Sequence, residues 1–240
     1  MEPPSTLSVI ERAVLARLDR LGLRQGASVL DAPCGSGALA AALREAGYDA
    51  WGADLVPAAR HLLRDRFLQA DLGAGIPCPD ESMDGVLTVE GIEHLENPYA
   101  FLREIRRVLR PGGYCILTTP NTASIRSRVR FFGSGFYNQD PRPLNETARN
   151  PLHHISLKTF PEVRYAVHTA GLRLVDVGHT HIKPVSVLYA VWIPWIAVYT
   201  GVAFRKERDP EQRARNREIR TALVSASLLF GENLMLVARR

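Results

Sequence analysis

Glu90, Glu93 and His94 stand in the order Glu-x-x-Glu-His within the stretch VLTVEGIEHLENP, residues 86–98. Two carboxylates and an imidazole this close can do two kinds of chemistry. They can accept and return protons near neutral pH. They can also coordinate a divalent cation such as Mg²⁺, Mn²⁺ or Zn²⁺, which acidifies and orients a substrate hydroxyl. A plainer use of the same residues is capping and packing of a short turn. A second group, His153-His154 in PLHHISLKTF, lies about 60 residues downstream of His94 and serves either as a further ligand or as loop packing. The third is VLDAPCGSGALA, residues 29–40, where Gly35 and Gly37 let the backbone take positive φ and approach a ligand closely. The N–H groups of the helix that follows would face an anionic group. The turn lacks the third glycine of the dinucleotide fingerprint. Asp54, 19 residues after Gly35, ends an apolar run, where an acid can accept hydrogen bonds from ribose hydroxyls. Asp71 ends another, where it can meet an adenine amino group.

The elements that must hold these residues alternate along the chain. Apolar runs at 27–32, 49–55, 67–72, 83–90 and 114–120 read as strands, and 37–47 and 98–113 have apolar residues at helical spacing. The order predicts a parallel sheet with helices on both faces. The stretch 121–158 is rich in Gly, Pro, Asn and Arg and reads as a long irregular insertion. A helix at 160–171 and a strand at 172–179 resume the pattern. A second interruption, 182–230, precedes a terminal strand, 233–240, expected to be antiparallel. The fold class is therefore α/β: one Rossmann-like, doubly wound sheet of about seven strands in one domain, residues 1–240, with insertions after the fifth and sixth strands.

Asp31-x-x-Cys34-Gly35-x-Gly37, Asp54, Asp71-Leu72 and LRPGGYCILTTPN, in this order and spacing, resemble the class I S-adenosylmethionine-dependent methyltransferases of the type 11/23 kind. The likeness covers residues 27 to about 120. It implies that Asp31, Cys34, Gly35, Ser36 and Gly37 cradle the methionine part of S-adenosylmethionine. It also implies that Asp54, with Leu55 beside it, binds the ribose, that Asp71 and Leu72 frame the adenine, and that Glu90 borders the cofactor pocket. Pro33 departs from the family, which more often has glycine there. The Glu-x-x-Glu-His motif is similar to the metal motif of quinone-biosynthesis O-methyltransferases. It is also similar to that of enzymes that methylate the 2′-hydroxyl at small-RNA 3′ ends. The implied metal ligands are Glu90, Glu93, His94 and His154, with Glu93, His94 and His154 as the groups that handle the hydroxyl proton. The aromatic and acidic residues that follow the histidine in the RNA enzymes are missing here. The expected acceptor is an oxygen on a small molecule, a glycan or a lipid-linked compound; the alternatives are an RNA 2′-O-methyltransferase and a non-catalytic cofactor-binding scaffold.

Composition sets the remaining expectations. Hydrophobic residues make up 46% and charged residues 23% of the 240, which excludes wholesale disorder. Residues 1–120 carry 12 Lys+Arg against 16 Asp+Glu, and 121–240 carry 18 against 9, so the second half is basic. Such a half suits an anionic membrane face, nucleic acid or a solvated helix; nucleic acid is not the expected partner. Cys34, Cys78 and Cys115 are odd in number, and the opening residues show no signal-peptide pattern, so reduced thiols in the cytoplasm are expected. Residues 185–204 contain no charge, but Pro194 and Gly201 interrupt them and sheet-forming segments flank them. They are expected either to cap the fold as a buried pair of short helices or to contact one membrane leaflet from its inner face.

Overall fold

A computed structural model describes residues 7–139, 142–147 and 150–240. The elements in chain order are α1 (Val9–Leu21), β1 (Ser28–Asp31), α2 (Ala38–Glu45), β2 (Asp49–Asp54), α3 (Arg60–Leu63) and β3 (Phe67–Gln69). Then come β4 (Met83–Val89), α4 (Pro98–Val108), β5 (Leu109–Pro120), α5 (Ile125–Ser134), α6 (Phe160–Thr169) and β6 (Arg173–His179). The chain closes with α7 (Ile193–Ala203), α8 (Pro210–Leu223), α9 (Ala226–Phe230) and β7 (Asn233–Arg239). Short 3₁₀ segments cover Ile92–His94 and Pro184–Trp192.

The strands form one seven-stranded sheet in the order β3-β2-β1-β4-β5-β7-β6. Strands β1 to β5 pair in parallel, and β7 is antiparallel to both β5 and β6. Strand alternation sorts the core onto two faces. Leu87, Ile116, Met235 and Val237 pack under α1 and α2. Their sequence neighbours Val86, Leu117, Leu234 and Leu236 pack under α4 and α6. Both faces are covered, as a parallel sheet requires. The strand order reverses between β1 and β4, which places the crevice of a doubly wound fold at the carboxyl ends of those two strands.

Local chemistry accounts for most boundaries. Asn97 caps α4 through the Ala100 N–H, and Pro98 occupies the first helical position. Phe101, Leu102, Ile105 and Val108 form its buried stripe. The helix ends at Val108 rather than 113, because Pro111 cannot continue it and disfavours helical backbone at Arg110. Residues 109–113 instead begin β5, with a register shift against Met83–Gly85 that absorbs the Pro-Gly-Gly. The supposedly irregular stretch after β5 contains α5, capped by the Ser124 side chain and ended by Gly135 at φ +72°. Residues 185–204 are helical as expected, but the buried-pair reading is overturned: only 11% of the apolar window is buried.

Candidate active site

The first wall of the crevice is the turn after β1. Gly35 and Gly37 both have positive φ, +52° and +82°. A Cβ at Gly35 would meet nothing within 4 Å, so the turn opens onto free space there, whereas one at Gly37 would sit 2.8 Å from the Ala59 Cβ. Asp54, the last residue of β2, holds this turn from the side. Its Oδ2 accepts from the Gly35 N–H at 2.8 Å and its Oδ1 from the Val56 N–H at 3.0 Å. Leu55 beside it is exposed, as is Ser36. Past β3, Asp71 Oδ1 accepts from the Gly73 N–H at 2.8 Å, and Leu72 is buried. Asp31 is buried at the end of β1. Burial, reinforced by Glu11 and Asp54, raises its carboxyl well above the usual range, and the Ala40 backbone offsets part of this. Cys34 points its thiol away from the crevice into a cluster with Ala40, Ala59 and Leu63. Its backbone N–H donates to Ala53 and its carbonyl accepts from Gly37. Its side chain is therefore packing, which a sequence pattern around a glycine turn does not reveal.

The second wall is the tip of β4, and it touches the first. A Cβ on Gly91 would come within 2.3 Å of the Pro33 Cδ. Glu90 just before it has φ +48°, an uncommon conformation for a residue with a side chain and one that clusters at functional sites. The Glu90 N–H donates to the carbonyl and hydroxyl of Thr118, and its Oε2 accepts from Asn233 Nδ2 at 2.6 Å. Glu93, in the 3₁₀ turn, is 0% exposed, and its Oε2 accepts from Thr119 Oγ1 at 3.1 Å. Among the described residues the remaining oxygens, Glu90 Oε1 and Glu93 Oε1, are buried without a hydrogen-bond partner. Burial raises both carboxyls, and the charge of Glu90 pushes Glu93 up further.

The segment 153–156 folds onto this tip. The Ser156 N–H donates to the Glu93 carbonyl at 2.9 Å. The His94 Nδ1 lies 3.1 Å from the His153 carbonyl. A carbonyl can only accept, so that nitrogen carries the proton and Nε2 of the neutral ring keeps a lone pair. The His94 and His154 rings are 5.0 Å apart between centroids. One ligand atom each from Glu93, His94 and His154 lies within 4.8 Å of the others. Glu90 stays outside this group because its carboxylate is turned to Asn233 on β7; His153 contributes its carbonyl. Sequence reasoning missed Thr118, Thr119 and Asn233, which hold the two carboxylates. The local signal for the two threonines was the Thr-Thr-Pro end of an apolar strand, 118–120; Asn233 had none.

A cavity of about 850 Å³ lies beside the β5 end of the site, walled by Thr122, Phe131, Tyr137, Phe160, Trp195 and Tyr199. The arginines of α5 largely serve the fold. Arg126 pairs with Glu232 at 3.0 Å, and Arg128 donates to the carbonyls of Ala123 and Leu223. Of the three α5 arginines only Arg130 is exposed, next to the exposed Phe131 and Phe132.

The sequence model of a family described as a methyltransferase domain matches residues 8–177. A protein of Mycolicibacterium smegmatis, named as a probable S-adenosylmethionine-dependent methyltransferase, is 32% identical over 155 residues, 63% of this chain and 54% of that protein. The chain thus spans about half the length of that relative. A ubiquinone biosynthesis O-methyltransferase of Xanthomonas campestris is 33% identical over 192 residues, 73% of each chain. Among solved structures, a SAM dependent methyltransferase from Archaeoglobus fulgidus superposes with a TM-score of 0.57 at 17% identity, covering 96% of this chain and 94% of that one. That likeness is one of fold.

Proposed function

The chain belongs to the class I S-adenosylmethionine-dependent methyltransferases, and on that premise we propose that it methylates an oxygen of a small-molecule, glycan or lipid-linked acceptor. The observation that carries the choice of oxygen is the convergence of Glu93, His94 and His154 at the β4 tip, where a hydroxyl proton would have to be handled.

The cofactor's sulfonium supplies the activated methyl group, so the protein's task is alignment and proton removal. Gly35, Ser36 and Gly37 would take the methionine part, with the backbone close to the ligand. Asp54, already fixed by two N–H groups, would receive the ribose hydroxyls, with Leu55 beside it and Asp71 and Leu72 at the adenine. With the cofactor bound, the acceptor oxygen would bond to the methyl carbon as the carbon–sulfur bond breaks, leaving a neutral thioether. The acceptor's proton would pass to His94 Nε2, the ring nitrogen that does not face the His153 carbonyl, and from there to solvent.

The same residues fit a divalent cation. Glu93 offers a buried oxygen without a partner, His94 a ring oriented by a backbone carbonyl, and His154 a second imidazole. Glu90 Oε1, also buried and unpartnered, would complete the set on a turn of its side chain. Such a cation, Mg²⁺, Mn²⁺ or Zn²⁺, would lower the pKa of the acceptor hydroxyl. The three buried, unpaired cysteines support a cytoplasmic setting.

The deciding experiment incubates the protein and labelled S-adenosylmethionine with separated lipid, glycan, RNA and small-metabolite fractions. Label in a lipid, glycan or metabolite fraction, lost in His94→Ala, supports the reading. Label in RNA alone overturns the acceptor class. Cofactor binding with no transfer to any fraction overturns catalysis.

A further inference from the structure

Pro184–Ala203 is an uncharged run of 20 residues that the fold leaves outside. Leu188 and Val191 are each 78% exposed, and Val187, Trp195, Val198 and Tyr199 are all more than half exposed. Phe132, at the end of α5, is 87% exposed on the neighbouring element. An α-helix that is apolar on every side belongs in a core or in a membrane, and α7 is not in the core. By length and composition alone the segment's 20 residues could cross a bilayer, but β6 and β7, on either side of it in sequence, pair in one sheet, which keeps both of its ends on the same side. It is also tied to the sheet at both sides. Ile182 bridges Gly231, and Ile196 is buried against Ile125 and Leu229.

What surrounds the face identifies its occupant. Trp192, Trp195 and Tyr199 form a ladder of ring contacts, with centroids 6.4 and 5.5 Å apart. Such amphipathic rings favour the boundary between headgroups and acyl chains. Residues 205–220, which follow at once, carry seven Lys+Arg against four Asp+Glu. That charge complements an anionic lipid surface.

We propose that Pro184–Ala203, with Phe132, inserts into one leaflet of an anionic bilayer and holds the mouth of the α5–α7 cavity at the lipid surface. Docking does not depend on the methyl-transfer reading. The route into the cavity does, and it narrows the acceptor to an amphiphile. The apolar tail would lie between Phe131, Phe160, Trp195 and Tyr199. The hydroxyl-bearing head would point past Thr122 toward Thr119, three residues back along the chain, whose hydroxyl donates to Glu93.

The test is flotation of the full chain with vesicles of phosphatidylcholine, with and without phosphatidylglycerol, at low and high salt. The expected result is co-flotation that strengthens with phosphatidylglycerol and weakens with salt. A Leu188→Glu/Val191→Glu variant should lose at least tenfold in vesicle affinity while its melting temperature and affinity for S-adenosylhomocysteine stay unchanged. Failure of the wild-type chain to float with anionic vesicles overturns the proposal. So does a wild-type dimer in sedimentation equilibrium that this variant converts to monomer, because a second copy then covers the face. Flotation combined with label only in the water-soluble fractions of the transfer assay leaves docking standing and overturns the lipid route.

Discussion

Replacing Glu93 by glutamine separates the cost of its buried carboxylate from its use. Folded, the side chain is fully buried with Oε1 unpartnered, and burial raises its carboxyl well above the usual range. A raised carboxyl holds its proton more tightly in the folded than in the unfolded chain. Its contribution is therefore fully present below the ordinary carboxylate range and is lost as pH climbs through the raised value. Glutamine keeps the neutral shape at every pH. Glutamine leaves the same buried position without a partner, so what separates the two is the extra cost of the charged form, on the order of 1–3 kcal/mol. A chain of this size shifts its Tm by about 2–4 °C per kcal/mol. In chelator at about pH 8, Glu93→Gln should melt about 2–12 °C above the wild type, and at about pH 4, below the ordinary carboxylate range, the two should nearly coincide. Zn²⁺ or Mn²⁺ at about a hundred times its Kd should then raise the wild type by about 2.7 kcal/mol, and the variant by much less, since it has lost a ligand. Differential scanning calorimetry at the two pH values, with chelator or metal, reads all four corners. A variant less stable than the wild type in chelator at the higher pH, or an equal metal shift in both proteins, would refute the reasoning.

Further substitutions probe the frame around the site. A Cβ at Gly52 would stand 2.4 Å from Leu63 Cδ1 and 2.9 Å from Cys34 Sγ; Gly52→Ala should cost about 1–3 kcal/mol by overpacking, read as a lower denaturant midpoint. Asp54→Ala removes the acceptor of the Gly35 and Val56 N–H groups. It should weaken S-adenosylhomocysteine binding at least about tenfold, about 1.4 kcal/mol, by calorimetric titration; unchanged affinity would take Asp54 out of the cofactor site. Glu232, nearly buried, pairs with Arg126 and Lys183. Both cations are partly exposed, so Glu232→Ala should cost about 1–3 kcal/mol, less than a fully buried pair, seen as a lower Tm.

The sheet was legible because its strands carry apolar runs and its helices end on proline and glycine. The misplaced start of β5 shows the limit of that reading, since Pro-Gly-Gly marks a helix stop and a strand bulge equally well. Helix α5 was hidden because Arg126, Arg128 and Arg130 alternate with polar and apolar residues and look like a surface loop. Two of those arginines instead find their partners some 95 and 106 residues away, at Leu223 and Glu232. Residues 185–204 were legible as apolar and helical; whether they lie inside or outside is settled only by how little of the fold is left to cover them. At the site, the Glu-x-x-Glu-His order was visible, and so was the histidine pair downstream. That Ser156 and His153 fasten the second to the first is a long-range backbone match with no local pattern. The turning of Glu90 toward Asn233, 143 residues away, is of the same kind.

Strand β7 lies between β5 and β6 although it is the last strand in chain order. On a ribosome, β6 would emerge with no neighbour to pair with and wait, and Glu90 would lack the amide of Asn233 that fixes it. The apolar stretch 185–204 emerges before β7 as well. If the proposed docking holds, a nascent chain would meet a lipid surface while its reaction centre is still open, and delivery would precede the onset of catalysis.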